Sequence, residues 1–510
     1  HELRQHFDLS KAVLEPTFVC EKLGIQGRVD LMTTDLRLLV EQKSGRNIFL
    51  ERAMRNSHGT LMVEKHYVQV LLYFGILFYN FNLSDTDIRL LYSRYALPDG
   101  LLSVANLMTL VYEALRFRNE AVALEFDIAE RGLQHLLPLL TPETMNVNGM
   151  RDYFYERYLL PQLQEVLVPL QKMSPLEQAY FCRMMQFVIR ENIMSKVGVN
   201  EGIGNSVANL WNMPLSEKRE TGNIYTHLTI THKEKDGDGD ELNGYDLITL
   251  AIPEQGNDFL PNFRRGDMVF LYSYPEDEEP DVRKALLFKG GIAALNSSSI
   301  TIKLTDGQQN ADIFNQLPYN VTGSKNVSMA RAGGKRVWCI EHASSDVGGS
   351  AGIRALYTFV TSTENRKNLL LNQREPKANT ELTLSRSYNE ALDPMLTKAK
   401  QALDYFLLVG PPGTGKTSMA LRFLVEEQLA TCPEGGILLM AYTNRAVDEI
   451  CGMLVEAGVE FIRIGSKLSC AAAYDPYLLS NIVGKRPTLE EIKQKLGRAQ
   501  VIVGTTSMIQ

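Results

Sequence analysis

The sequence predicts a multidomain α/β protein in which a helical stretch and a small β-barrel separate two mixed regions. Three observations carry this. The chain has 510 residues, 45% hydrophobic and 22% charged, an ordinary globular composition with room for two to four domains. From about residue 222 the texture turns to short, closely spaced strands: IYTHLTITH, YDLITLAI, DMVFLYSY, ALLFKGGIAAL and SSITIKL. Such spacing suits a small barrel. Later, YFLLVGPPGTGKTSMALRFLVEEQL reads as strand, glycine-rich loop and helix, the local unit of a parallel α/β domain.

In chain order, residues 1–120 mix strands and helices. GRVDLMTTDLRLLVEQKSG, from Gly27 to Gly45, reads as two apolar strands joined at Thr33-Thr34-Asp35. IRLLYSRYALPDGLLSV reads as a strand and its turn, and LMTLVYEALRFRNEAVALEF as a helix. Residues 121–215 are helical by pattern, with Ser174 as an N-cap and Pro175 at the first helical position. Residues 216–370 hold the barrel strands. Residues 371–510 return to alternating helix and strand.

Composition excludes several classes. No apolar run reaches the ~18–20 residues that span a bilayer, and the most apolar piece, YVQVLLYFGILFYNF, contains Gln69. No membrane partner is expected. Cys20, Cys182, Cys339, Cys432, Cys451 and Cys470 form no CxxC pair, which argues against zinc and disulfides and for a reduced, intracellular protein. Net charge is −7, against a general polyanion coat but compatible with a local basic groove. DGDGDELNGYDL, from Asp236, imitates a calcium loop but has Glu241 and Leu247 where Gly and Glu are needed. The chain starts at His1 and stops within VIVGTTSMIQ, so both ends read as cut.

The most specific motif is Gly410-Pro411-Pro412-Gly413-Thr414-Gly415-Lys416-Thr417-Ser418, with a buried strand expected from Tyr405 to Val409. Backbone N–H groups of such a loop cradle phosphates, Lys416 reaches the outer ones, and Thr417 can hold magnesium. ATP and magnesium are therefore expected. Further on, GILLMAYTNRAVDEICGMLVEAG places Thr443 and Asn444 between strand and helix, and QVIVGTTSM ends in Thr505 and Thr506. This order resembles superfamily 1 helicases of the up-frameshift type and implies a RecA-like domain. An AAA-type ATPase is the competing reading. The resemblance implies that Thr443, Asn444, Thr505 and Thr506 touch the nucleic-acid backbone, and hydroxyl and amide groups suit such sequence-independent contacts. Where the family has a Gln that reads adenine, this chain has Leu392, and Gln401 stands too close to the loop. Adenine selectivity stays open. The sequence stops before an Asp-Glu motif, so ATP hydrolysis is expected to be incomplete here.

The hairpin carries the second motif. Glu41 and Lys43 share one strand face, and Asp30 lies on the strand before. The plain reading is a solvated edge strand with a salt bridge. Hard oxygens also suit magnesium, making Asp30, Glu41 and the carbonyl of Gln42 candidate metal ligands. Lys43 beside them can orient a water or stabilise a phosphorane. In EKHYVQVLLYFGIL, His66, Gln69 and Tyr73 fall on one helix face, which suits either an active-site wall or a core helix. Gly24, Gly27, Asp30, Glu41, Lys43, Gly45, Gln69 and Tyr73 together resemble the exonuclease-V-like branch of PD-(D/E)xK nucleases. That branch often has an upstream histidine and acid. His1, Glu2, His6 and Glu15 are candidates, Glu15 the best of them.

A nuclease core (1–120), a helical stalk (121–215), a small barrel (216–370) and a first RecA-like motor domain (371–510) follow the order of the DNA replication ATP-dependent helicase/nuclease family, which the chain resembles. The resemblance implies cleavage of single-stranded DNA and ATP-driven movement along it, in replication, repair or defence. RNA use and protein partners stay open. It also implies an iron–sulfur cluster, against which the missing cysteines argue, although Cys20 echoes one ligand. Basic positions Lys325, Arg331, Lys335 and Arg336 are candidates to line a DNA path, a solvated hairpin being the alternative. The other functional reading is an ATP-gated nucleic-acid clamp with a silent nuclease fold.

Overall fold

Sixteen strands and a set of helices build the described part of the chain. The computed structural model describes residues 9–47, 50–51, 64–147, 149–198, 206–236, 244–256, 259–315, 335–343, 349–484 and 487–509. His1, Glu2, His6, Lys325, Arg331 and positions 237–243 of the calcium-like segment lie outside them. Two compact units result: residues 1–129 with 190–346, and residues 130–189 with 347–510.

In the first unit, β1 (Ala12–Leu14), β4 (Leu31–Thr33), β5 (Leu38–Lys43), β6 (Asp87–Tyr92) and β7 (Leu101–Val104) form a five-stranded sheet in that order. The β4–β5 hairpin is antiparallel, and β5 runs parallel to β6. A parallel pair needs a crossover, which contains helix α1 (Glu64–Phe81). Its Val70, Phe74 and Leu77 repeat at helical spacing and are buried. β2 (Thr17–Cys20) pairs separately with β3 (Ile25–Arg28). Asp30 sits in the bend between β3 and β4, not on a strand as expected; the chain changes sheets there and cannot stay extended. The long helix α2 (Met108–Arg131) follows β7, with Val111 and Ala114 buried.

The barrel is closed: β10 (Met268–Pro275), β11 (Phe288–Leu295), β12 (Ser299–Gln308), β9 (Tyr245–Ala251), β8 (Ile224–Glu234) and β13 (Arg336–His342). Leu250, Ile300, Ile302 and Ile340 fill it. Sequence reading missed β13, whose RVWCIEH lacks alternation because both faces are covered. Trp338 and Ile340 join one apolar cluster, Val337 and Cys339 another. Two of the basic positions expected along a DNA path are engaged within the barrel. Arg336 donates to Ser273 O at 2.9 Å and Ser273 Oγ at 3.2 Å, and Lys335 pairs with Glu276 at 2.9 Å.

Barrel and sheet are clasped together. Thr17 and Leu287 exchange backbone hydrogen bonds of 2.8 and 3.0 Å. The Gln308 amide accepts from Leu14 N and donates to Leu14 O, both at 2.9 Å.

In the second unit, α3 (Leu160–Gln171) precedes the start of α4 (Pro175–Val197), whose last residues belong to the first unit. Ser174 caps α4 as expected: Glu177 N donates to Ser174 Oγ at 3.4 Å, and Ser174 N donates back to the Glu177 carboxylate at 2.8 Å. Strands β14 (Ile437–Ala441), β16 (Val501–Thr505) and β15 (Ile462–Ile464) lie parallel in that order. They pack with α5 (Arg422–Thr431) and α6 (Asn444–Glu456) around Val425, Leu439, Val447, Leu454, Val501 and Val503.

The strand expected at Tyr405–Val409 is not formed. Leu407 and Val409 are 78% and 92% exposed, and among the described residues no strand pairs with them. Strand preference is chiefly a preference for a packed pleated surface, and an apolar sequence without a paired neighbour has none.

Glu427 of α5 is buried under a polar cap. Ser385 Oγ donates to it at 2.6 Å, Tyr388 OH at 2.9 Å, and Lys400 also bonds it. Burial alone raises its pKa, but Lys400, Ser385 and Tyr388 outweigh that and hold it at about 2. A carboxyl lowered on folding stabilises above its unfolded value of 4.5, and that stability is lost as pH falls from there towards 2. Glu427→Gln is expected to lower stability at neutral pH and flatten the acid limb between pH 4.5 and 2, read by thermal melting against pH.

Candidate active site and phosphate loop

The hairpin and helix α1 bring four of the expected side chains together. Glu41 is 3% exposed in the middle of the sheet. Lys43, two residues on and on the same face, pairs with Glu41 Oε1 at 2.6 Å and donates to Gln69 Oε1 at 2.9 Å. Gln69 Nε2 donates to Tyr73 OH, which donates to Arg28 O, each at 2.8 Å. A hydrogen-bond chain thus runs from Glu41 through Lys43, Gln69 and Tyr73 to the backbone just before Asp30. Gln69 and Tyr73 face the hairpin as expected; His66 turns instead to Tyr92 OH at 3.0 Å. Asp30 accepts from Gln42 N, so its carboxylate lies beside the third ligand candidate.

Gly27 makes the chain possible. A Cβ there would lie 2.6 Å from Tyr73 Cε1, closer than van der Waals contact allows. Gly27→Ala is expected to push Tyr73 aside, costing about 1–3 kcal/mol of stability and breaking the Tyr73–Arg28 bond. Thermal melting and cleavage assays check the two effects separately.

The electrostatics are those of crowded carboxylates. Burial raises the Glu41 carboxyl against the opposing pull of Lys43. Burial pushes Glu15 up to about 7, against Arg28, with Asp30, Asp306 and Glu41 adding to the rise. Tyr73 is raised to about 12, mainly by burial. Glu15 pairs with Arg28 at 3.1 Å, and Arg28 with Asp306 of β12, also at 3.1 Å. Asp306 was invisible to sequence reading: it stands 278 positions from Arg28 in a segment with no motif. Arg28 lay inside the quoted stretch but matched no expected role.

Among the described residues, no three His, Cys, Asp or Glu side chains form a ready metal-holding group; Lys43 and Arg28 balance the acids instead. Glu41 Oε2 is nonetheless buried with no hydrogen-bond partner. A buried carboxylate oxygen without a donor is costly, and a hard cation is one group that satisfies it. The donor set fits magnesium in that respect. Cys20 is buried in the apolar core, its thiol raised chiefly by burial.

In the second unit, Gly410–Thr414 form an open loop, and Gly413 and Gly415 have φ of 79° and 80°. Those left-handed values suit glycine. Lys416 folds over the loop, donating to the carbonyls of Gly410 and, at 2.7 Å, Pro411. Thr417 and Ser418 follow in a π-helical turn, Lys416–Leu421, that leads into α5. Parallel pairing sets Ala441 opposite Thr505, so Thr443-Asn444 and Thr505-Thr506 emerge at the same end of neighbouring strands. Thr443 caps α6, accepting from Ala446 N at 3.2 Å. Thr505 is buried, with its hydroxyl 3.2 Å from Ser507 Oγ.

The family model for an AAA domain matches residues 383–507. The Bos taurus DNA replication ATP-dependent helicase/nuclease is 24% identical over 315 residues, covering 59% of this chain and 26% of that protein. The Arabidopsis thaliana protein of the same description is 34% identical over 134 residues, 24% of this chain and 9% of its own. The Homo sapiens protein is 23% identical over 316 residues, 59% and 27% of the two chains. The matched stretch is thus about a quarter of the mammalian relatives' length. Parallel strands, phosphate loop and family match define an AAA-type domain, joined in one chain to a six-stranded barrel. Over these stretches the chain is similar to DNA replication ATP-dependent helicase/nucleases, and the matches support that resemblance. Among the described residues, no helix is long and apolar enough to cross a membrane.

Proposed function

We propose that this chain cuts single-stranded DNA with a magnesium-dependent nuclease site and is coupled to an ATP-driven superfamily 1 motor, serving DNA replication or repair. The PD-(D/E)xK assignment rests on the chain Glu41–Lys43–Gln69–Tyr73, ending at Arg28 O beside Asp30. A solvated edge strand has no need to bury a glutamate whose second oxygen has no partner. Asp30, Glu41 and the Gln42 carbonyl would hold the ion, which supplies an acidified water and offsets charge on the scissile phosphate. Lys43, fixed between Glu41 and Gln69, presents its ammonium to that phosphate. Tyr73 and Gln69 hold Lys43 in place.

Nothing in the hairpin reads bases, so strand has to be delivered. The phosphate loop would bind ATP, with Lys416 leaving its carbonyl partners for the outer phosphates and Thr417 placed for magnesium. Thr443, Asn444, Thr505 and Thr506 would track the sugar–phosphate backbone, which suits any sequence. The test is cleavage of labelled single-stranded and duplex DNA with magnesium, beside Lys43→Ala. Metal-dependent cutting of single strands that vanishes in the variant supports the reading. DNA binding without cutting by the parent chain would sink it in favour of a clamp.

A further inference from the structure

We propose that Arg28 is a phosphate-binding residue of the nuclease cleft and that Asp306, supplied by the barrel, holds it away from substrate until a strand arrives. This rests on the nuclease reading of the hairpin. It goes beyond that reading by making the barrel a wall of the substrate cleft and naming the residue that grips the strand.

A cleft of about 480 Å³ lies between the two parts of the first unit. Glu15, Asp30 and Gln42 line it from the hairpin side, Thr305, Asp306 and Gly307 from β12. Three carboxylates on these walls favour a cation and repel a phosphodiester. Arg28 reaches both walls, Nε to Glu15 and Nη1 to Asp306, each at 3.1 Å. Its backbone is fixed, because Arg28 O receives the Tyr73 hydroxyl at the end of the Lys43 chain. The guanidinium is therefore tethered two residues from Asp30 while its side chain is half exposed.

The pairing is not needed as a strut. Gln308 already ties β12 to Leu14 by two hydrogen bonds, and Thr17 and Leu287 tie β2 to the barrel by two more. Half-exposed ion pairs contribute little to stability, so Arg28 can exchange partners at small cost. Arginine's planar fork matches a phosphate bidentately, and such charge-assisted pairs are stronger than single contacts. On binding, the guanidinium leaves Asp306 for a phosphate next to the metal ligands. Asp306 acts through Arg28 and is a positioning residue.

The test reads the cleft itself. Cys432 is the exposed cysteine and the other five are buried, so a Cys432→Ser, Ser44→Cys chain carries an environment-sensitive dye on a residue that lines the cleft. Oligothymidylate is titrated in EDTA, which removes any need for cleavage. Arg28→Ala is expected to weaken the dye-reported affinity about tenfold, and Arg28→Lys by less. Asp306→Asn is expected to tighten it about threefold or more, a gain that structural damage does not produce. In the Arg28→Ala background that gain shrinks to under about 1.5-fold. Thermal melting of each variant separates misfolding from lost contacts. Equal gains from Asp306→Asn with and without Arg28, or no response of the dye to DNA, overturn the proposal. A parent chain that binds in the cleft but never cuts with magnesium overturns the nuclease reading and leaves Arg28 standing.

Discussion

Lys43→Ala is expected to lower metal-dependent cleavage of single-stranded DNA by about 10²–10³-fold, the cost of removing one preorganised stabiliser of developing charge. The same change should disturb the resting protein. Lys43 is the partner of a carboxylate 3% exposed, and a buried charge left alone is strongly destabilising. The Glu41 carboxyl, already raised by burial, then loses the ammonium that opposes the rise and takes up a proton more readily. Magnesium should therefore raise the melting temperature of Lys43→Ala more than that of the parent, since the ion replaces the missing positive charge. Cleavage gels and melting curves with and without magnesium check both. A variant that cuts at the parental rate would remove Lys43 from the chemistry.

Lys416→Ala is expected to weaken ATP binding by about 10–100-fold while cleavage of short single strands persists. A charge-assisted hydrogen bond contributes about 1.5–3 kcal/mol, and each 1.4 kcal/mol is about tenfold in affinity. In the structure the Lys416 ammonium already lies over the Gly410 and Pro411 carbonyls, so only a short reach separates it from a phosphate in the loop. Titration with a fluorescent ATP analogue measures the loss. Parallel loss of DNA cleavage on short strands would mean that the nuclease depends on nucleotide, against the feeder arrangement proposed above.

Sequence reading anticipated which side chains meet where a contact is written in local spacing. Acid-x-Lys on one strand implies a shared face, and the Lys43–Glu41 contact follows from the pleat alone. Gln69 and Tyr73 follow from helical periodicity. It failed in two physical situations. Tyr405–Val409 has strand composition but no paired neighbour among the described residues, so local preference had nothing to act on. β13 is covered on both faces and shows no alternation. Arg28 and Asp306 failed for a third reason: their meeting depends on tertiary packing across 278 positions, which no local pattern encodes. His66 shows a milder case, since the right helix face still left it a choice of partners, and Tyr92 won.

The clasp between Gln308 and Leu14 spans 294 positions, and this sets a clock on biosynthesis. A ribosome adding roughly 5–20 residues per second takes roughly 15–60 s to pass from one residue to the other. Throughout that interval the backbone of Leu14 lacks its native amide partner, and β2 lacks its pair at Leu287. The N-terminal strands are made first but reach their final setting only after the barrel's fifth strand has left the ribosome. The same arithmetic governs any attempt to express the N-terminal strands without the barrel: they would be held permanently at the stage before the clasp closes.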